Sequence, residues 1–185
     1  MPRAWQAGPR GRQAPVQTWD AIRARRNVRS YTGRAIDRAD LERILEAGRR
    51  APSARNSQPW DFVVVTGRSE LTELARVWQG ARHVAQSAAT IALVAPVTAE
   101  EHRREGLRYD LGQATMNIML EATDLGIGSG HASVADQGLA RQLLGLPEDR
   151  FLAYLIALGY PADPLTPIAR PDRRPFEEVV HWGRW

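Results

Sequence analysis

The stretch from about Ala99 to Leu125 constrains this chain more than any other. Leu107, Leu111, Ala114, Ile118, Ala122 and Leu125 recur at steps of three and four, the period of one helix face, and Gly126 follows as a stop. Met116, Met119 and Leu120 add a second apolar face. A helix apolar on two faces must be covered by more than its own sheet, so it is either a central core helix or half of a dimer interface. Three apolar segments of strand type accompany it, Asp61 to Thr66, Thr90 to Ala95 and Phe151 to Gly159, separated from one another by helical periodicity. Strands separated by helices imply an α/β or α+β sandwich and leave the strand order open.

The other elements follow from caps and turn residues. Thr18 is the expected N-cap of a first helix with Trp19, Ile22 and Val28 on its apolar side, and Asp37 or Asp40 opens a second with Leu41, Ile44 and Leu45, ending near Gly48. Residues 51–60, APSARNSQPW, form an ordered loop. Ser69 is expected to cap a short helix through Leu71, Leu74 and Val77, with a helical piece near residues 80–88; Asp136 caps another that stops at Gly145 and Pro147. A last short helix starts with Pro175 at its first position. Residues 1–17 mix Pro, Gly, Gln and Arg without periodicity and are expected to form a flexible arm on a single domain of residues 18–185.

Composition removes several chemistries. With no Cys, thiol nucleophiles, iron–sulfur clusters, thiolate zinc sites and disulfides are excluded. All 25 basic residues are Arg, so lysine Schiff bases are excluded too. The longest apolar runs fall well short of the ~20 residues of a membrane helix, and no signal-type segment opens the chain, so a soluble, cytoplasmic protein is expected. Residues 1–50 carry a net charge of +7 and the remainder −3. That bias lacks the aromatic interleaving or module of a nucleic-acid binder, so neither nucleic acid nor membrane is an expected partner.

The candidate ligand-binding residues lie in short motifs. Arg25 and Arg29 are four apart, on one face if the first helix continues that far, and two guanidiniums make a fork for an anion; a solvated basic helix end is the plainer alternative. In the 52–60 loop, Asn56 and Gln58 offer the amide donors and carbonyl acceptors that read a heterocycle edge, or simply cap a turn. Gly126-Ile127-Gly128-Ser129-Gly130-His131 fails as a dinucleotide fingerprint, because it follows a helix and lacks the third glycine at the required spacing. His83, His102, His131 and His181 show no metal-ligand spacing, and no nucleophile elbow exists, so no metal is expected. Trp19, Trp60, Trp182 and Trp185 are expected to pack rather than stack on a ligand.

In combination these motifs become specific. Arg25-Arg26 with Arg29, then about twenty-five residues later Pro52-Ser53, Asn56 and Gln58-Pro59-Trp60 running into a strand, then an apolar Asn-containing helix ending in GIGS, resemble the FMN-dependent nitroreductase family. Leu155 to Pro161, Arg173 to Pro175 and Glu177 to Trp182 look like that family's C-terminal end, so the resemblance covers about residues 18–185. It implies a three-layer α+β sandwich, a central, mostly antiparallel sheet flanked by helices, in a homodimer with flavin sites at the interface. The implied cofactor-binding set is Arg25, Arg26, Asn27, Arg29, Pro52, Ser53, Ala54, Asn56, Ser129, Gly130, His131 and Arg173. Within it, Arg25 and Arg173 hold the FMN phosphate, with Asn27 beside them where the family usually has Ser; Arg29 lies near the flavin pyrimidine. Ser53 and Asn56, with backbone around Pro52 and Ala54, reach the flavin bound mainly by the other subunit, and Ser129, Gly130 and His131 approach the ring near N5. One further contact falls to Gln79, Arg82 or His83. The implied activity is transfer of a hydride from NADH or NADPH to FMN and onward to a nitroaromatic, quinone or similar acceptor, with no catalytic side chain required. The alternatives are a non-turnover FMN-binding protein for storage or regulation, and a specialised flavin dehydrogenase or dehalogenase on the same scaffold.

Overall fold

Residues Ala89–Pro96 are buried along almost their whole length, which places them in the middle of a sheet with both faces covered. The computed structural model describes residues 17–165 and 172–185. Its elements run α1 (Thr18–Ala24), α2 (Arg38–Arg49), β1 (Asp61–Val65), α3 (Arg68–Leu74), β2 (Ala89–Pro96), α4 (Glu101–Asp124), β3 (Gly128–Ala132), α5 (Gln137–Leu144), β4 (Arg150–Gly159) and α6 (Phe176–Val179). Short 3₁₀ segments occupy Ala54–Asn56, Ala75–Val77 and Gln79–Gln86. The sheet order is β1-β2-β4-β3, and every pairing is antiparallel.

The alternation of side chains along the central strands sorts the core into two layers. Ala92 and Val94 point to a layer with Leu71, Leu74, Val77, Val84 and Ala140, supplied by α3, the 3₁₀ segments and α5. On the other face, Ala89 and Ile91 meet Leu41, Ile44, Ile118, Met119 and Ala122 of α2 and α4, while Leu93 and Ala95 meet Leu107, Leu111 and Ala114. In β4, Leu152 and Leu155 share a face although they stand three positions apart, a spacing that puts residues of a regular strand on opposite faces. A register shift opposite Leu93 and Val94 accounts for this, since the bulge it makes restores the alternation. The result is a three-layer sandwich.

The long helix resolves both of its expected roles unequally. Met119 is 2% exposed and belongs to the intramolecular core, Leu120 is half-buried, and Met116 is 44% exposed. The second face is therefore not one surface, and Met119 is not part of an open one. At its end Gly126 takes φ 75°, and Ile127 N reaches back to Ala122 O at 2.7 Å, closing the helix as its sequence predicts.

Other expectations are corrected. Gly67, not Ser69, is the N-cap of α3, and the Ser69 hydroxyl donates to Glu70. Pro175 is the N-cap of α6, with Phe176 its first helical residue. In α1, which Gln17 caps, Ala21 is the buried residue; Trp19 and Ile22 face out, and Val28 is buried only after the helix has ended. Of the four tryptophans singled out, Trp60 packs in the core, whereas Trp19, Trp182 and Trp185 are exposed in the chain. Strand β3, Gly128–Ala132, is a fourth strand beyond the three expected. Residues 1–16 of the expected arm lie outside the described residues.

A buried, unpaired carboxylate is costly, so Met119→Glu is expected to destabilise the chain by about 3 kcal/mol or more. Met116→Glu should leave the secondary structure and cooperative melt of the chain intact. Circular dichroism melts of the two variants compare them directly.

Candidate functional site

Helix α1 stops at Ala24, so Arg25 and Arg29 do not share a helix face. They are instead held by an extended segment that lies beside β3. Val28 N donates to Ser129 O at 2.8 Å, and Asn27 and Ser129 form a parallel bridge. Farther along, Ala162 N donates to Ser30 O, Thr32 N donates to Tyr160 O, and Tyr31 bridges to Pro161. The buried Tyr31 hydroxyl donates to Val28 O at 2.6 Å, and burial raises its pKa above the ordinary phenol value.

This close approach explains the glycines of the GIGSGH segment. A Cβ on Gly128 would lie 2.8 Å from the Val28 side chain, and one on Gly130 would lie 2.5 Å from Val28 O. Backbone cannot yield as a side chain does, so the glycines admit the Arg25–Arg29 segment against the strand. Ser129 and His131 alternate to the other face of β3. Ser129 is 1% exposed, and among the described residues its hydroxyl has no hydrogen-bond partner.

Among the three residues left open for a further contact, His83 is the one that reaches β3. Its Nε2 lies 3.3 Å from Gly130 O, and the ring is buried. Burial lowers its pKa despite the carbonyls of Gly130 and Gly80, and Arg29 adds to the lowering. Gln79 and Arg82 line a surface recess of about 470 Å³ with Arg76 and Trp78. His131 is also shifted down, first by partial desolvation and then by Arg25 and Arg29. Arg25, Arg29, His83 and His131 thus form one electrostatic cluster. Arg25 Nη1 donates to Asn27 Oδ1 at 3.2 Å, and Arg26 Nε approaches Ala24 O at 3.5 Å. Among the described residues neither Arg25 nor Arg29 is paired with a carboxylate.

The second group of site residues lies elsewhere. In the loop before β1, Arg55, Asn56 and Gln58 all take positive φ, 54°, 54° and 49°. Asn56 N donates to Ser53 O, and Gln58 N donates to Ser53 Oγ, both at 2.9 Å. Ala54 N donates to Asp110 Oδ2 at 3.1 Å, and Gln113 Nε2 approaches Pro52 O at 3.4 Å. Asp110 was not singled out from sequence, although an acid beside Leu107, Leu111 and Ala114 on the buried stripe of α4 is the signal that marks it. Strands β1 and β3 are opposite edges of the sheet, about three interstrand spacings or ~14 Å apart. Arg173 donates to Asp172 O at 2.6 Å, and among the described residues no hydrogen bond or ion pair joins it to Arg25 or Arg29. The structure therefore brings Arg25, Asn27, Arg29, Ser129, Gly130 and His131 together, and sets Pro52, Ser53, Ala54 and Asn56 apart.

This geometry coincides with the family comparison. The Nitroreductase family model matches residues 22–104 and 77–160, which takes in both groups. The chain belongs to the nitroreductase family. A protein of Archaeoglobus fulgidus named as an NADH dehydrogenase/NAD(P)H nitroreductase is 33% identical over 168 residues, covering 89% of this chain and 96% of its own. An NADPH-flavin oxidoreductase of Vibrio harveyi is 28% identical, covering 91% and 74%. Among solved structures, an FMN-dependent nitroreductase of Clostridium difficile superposes with a TM-score of 0.79 at 22% identity, covering 89% of this chain and 98% of that one, a likeness of fold.

The depressed histidines give the chain a pH dependence of stability. Unfolded His binds protons below about pH 6.5, while folded His83 and His131 resist them, so the unfolded state holds more protons and stability falls as pH drops from about 7 to 5. His83→Gln should flatten the Tm against pH curve in that window. An equally steep curve in the variant would assign the slope to other groups.

Proposed function

We propose that this chain is a cytoplasmic, homodimeric FMN-dependent NAD(P)H oxidoreductase acting on an electron-poor acceptor such as a nitroaromatic or quinone. The observation that carries this reading is the cluster on β3. Among the described residues, Arg25, Asn27 and Arg29 present donors that no carboxylate neutralises, next to a buried Ser129 hydroxyl without a partner. Such a donor set fits a phosphate and a carbonyl-rich heterocycle, and the family and its flavin-reducing relatives support FMN as that ligand.

Bound FMN would accept a hydride from NADH or NADPH and deliver two electrons to the acceptor at the same site in turn. Every other task belongs to the protein. Arg25 and Arg173 bind the phosphate, with Arg26 and Asn27 alongside. Arg29 would supply positive charge beside a bound flavin and so would favour its reduced form. Ser129, Gly130 and His131 would approach the flavin, with Gly130 O held by His83. No side chain of the set is assigned as a general acid or base.

The loop of Pro52, Ser53, Ala54 and Asn56 serves the flavin of a second copy. Its position on the opposite sheet edge supports this, as does an apolar surface on the neighbouring helices α1 and α4. Trp19, Ile22, Tyr109 and Met116 are exposed there, an arrangement a lone soluble chain rarely leaves open.

Arg25→Ala and Arg173→Ala are expected to weaken FMN by about 1.5–3 kcal/mol, roughly tenfold or more, while riboflavin binding barely changes. Fluorescence titrations with both ligands read the difference. Equal losses for both would remove these arginines from the phosphate. In the same experiments Met116→Glu should lower the sedimentation coefficient and the FMN content together.

A further inference from the structure

The mechanism makes no use of Asp110, yet it is 4% exposed and sits on the core side of the longest helix. A carboxylate in that position is expensive unless it is bonded. Its partners are both tied to one loop. Oδ2 accepts from Ala54 N at 3.1 Å, and Oδ1 lies 3.4 Å from Gln113 Nε2, which itself approaches Pro52 O at 3.4 Å. One turn of α4 therefore grips the loop at two backbone points, on either side of Ser53. The clamped segment carries three non-glycine residues with positive φ, Arg55, Asn56 and Gln58, a conformation that persists where surrounding contacts over-determine it.

We propose that Asp110 is a positioning residue for flavin binding: with Gln113 it holds the 52–58 loop in its left-handed conformation and so fixes Ser53 and Asn56 for the flavin shared between subunits. This rests on the FMN reading given above. In this role Asp110 acts through the loop rather than on the cofactor itself. Its effect passes through the Ala54 amide, and the helix, being packed against the sheet core through Leu107, Leu111 and Ala114, supplies the rigid support.

The test uses the full chain with three substitutions. Asp110→Ala removes the acceptor. Asp110→Leu also removes it but fills the volume with an apolar group, which keeps the core packed if the alanine variant does not fold. Asp110→Asn keeps an oxygen for Ala54 N–H. Two readouts are taken: hydrogen exchange of amides 54–60 in the flavin-free protein, with the β2 amides as an internal control, and FMN affinity by titration. Loss of the charged acceptor is expected to raise loop exchange and weaken FMN by about tenfold each in Asp110→Leu, with β2 exchange unchanged and Asp110→Asn close to wild type in both. Unchanged loop exchange in Asp110→Leu would overturn the clamp. Faster loop exchange with unaltered FMN affinity would overturn the link to the cofactor. A wild-type chain that fails to bind FMN in the same titration would instead overturn the functional reading itself.

Discussion

The bond from Val28 N to Ser129 O is the contact on which the candidate site depends. It docks an extended segment on the outer edge of β3, and that docking sets the side chains on either side of Val28 where the site needs them. Gly128 and Gly130 are required by it, since any side chain at either would meet Val28. Tyr31 and His83 complete the arrangement by hydrogen-bonding the carbonyls of Val28 and Gly130. A cluster of two arginines and two histidines would repel itself. Desolvation and the arginine charge lower the pKa of both histidines, which favours their neutral forms and leaves the positive charge on the groups that cannot lose it.

The opposite edge of the sheet is built by different means. There the candidate residues Ser53 and Asn56 sit in a loop whose backbone is left-handed at three positions and whose support comes from α4. The sheet order separates the two edges within one chain, so in the proposed reading each edge carries only half of a site. The proposed homodimer would complete each half from the other copy, and the exposed apolar residues of α1 and α4 are the surface proposed for that contact.

Much of this was legible in the sequence because the signals were local. Three of the four strands, the long helix and its stop at Gly126, and the Asp136 cap, whose Oδ1 accepts from Leu139 N at 2.8 Å, all follow from periodicity and turn chemistry. Strand β3 was hidden because Gly128, Ser129 and Gly130 have low strand propensity, and the reason for glycine there lies in Val28, a hundred residues earlier in the chain. The Arg25–Arg29 spacing was read on a helix that in fact ends at Ala24, since the segment's preference for extended pairing with β3 is a tertiary effect. Asp110 was overlooked for a related reason: its partner is a backbone amide 56 residues away, and no side-chain pattern announces such a bond.

The central claim, that one flavin site takes its two halves from two chains, is tested most directly by complementation. One chain carries Arg25→Ala with Arg29→Ala, the other Ser53→Ala with Asn56→Gly, and each alone should bind FMN weakly. Refolded together in equal amounts, they should form mixed dimers that contain one intact site and one doubly altered site. About a quarter of all sites should then bind FMN with wild-type affinity, as random pairing in a two-fold dimer requires. A mixture with no tight sites would contradict the account and place the whole site within a single chain.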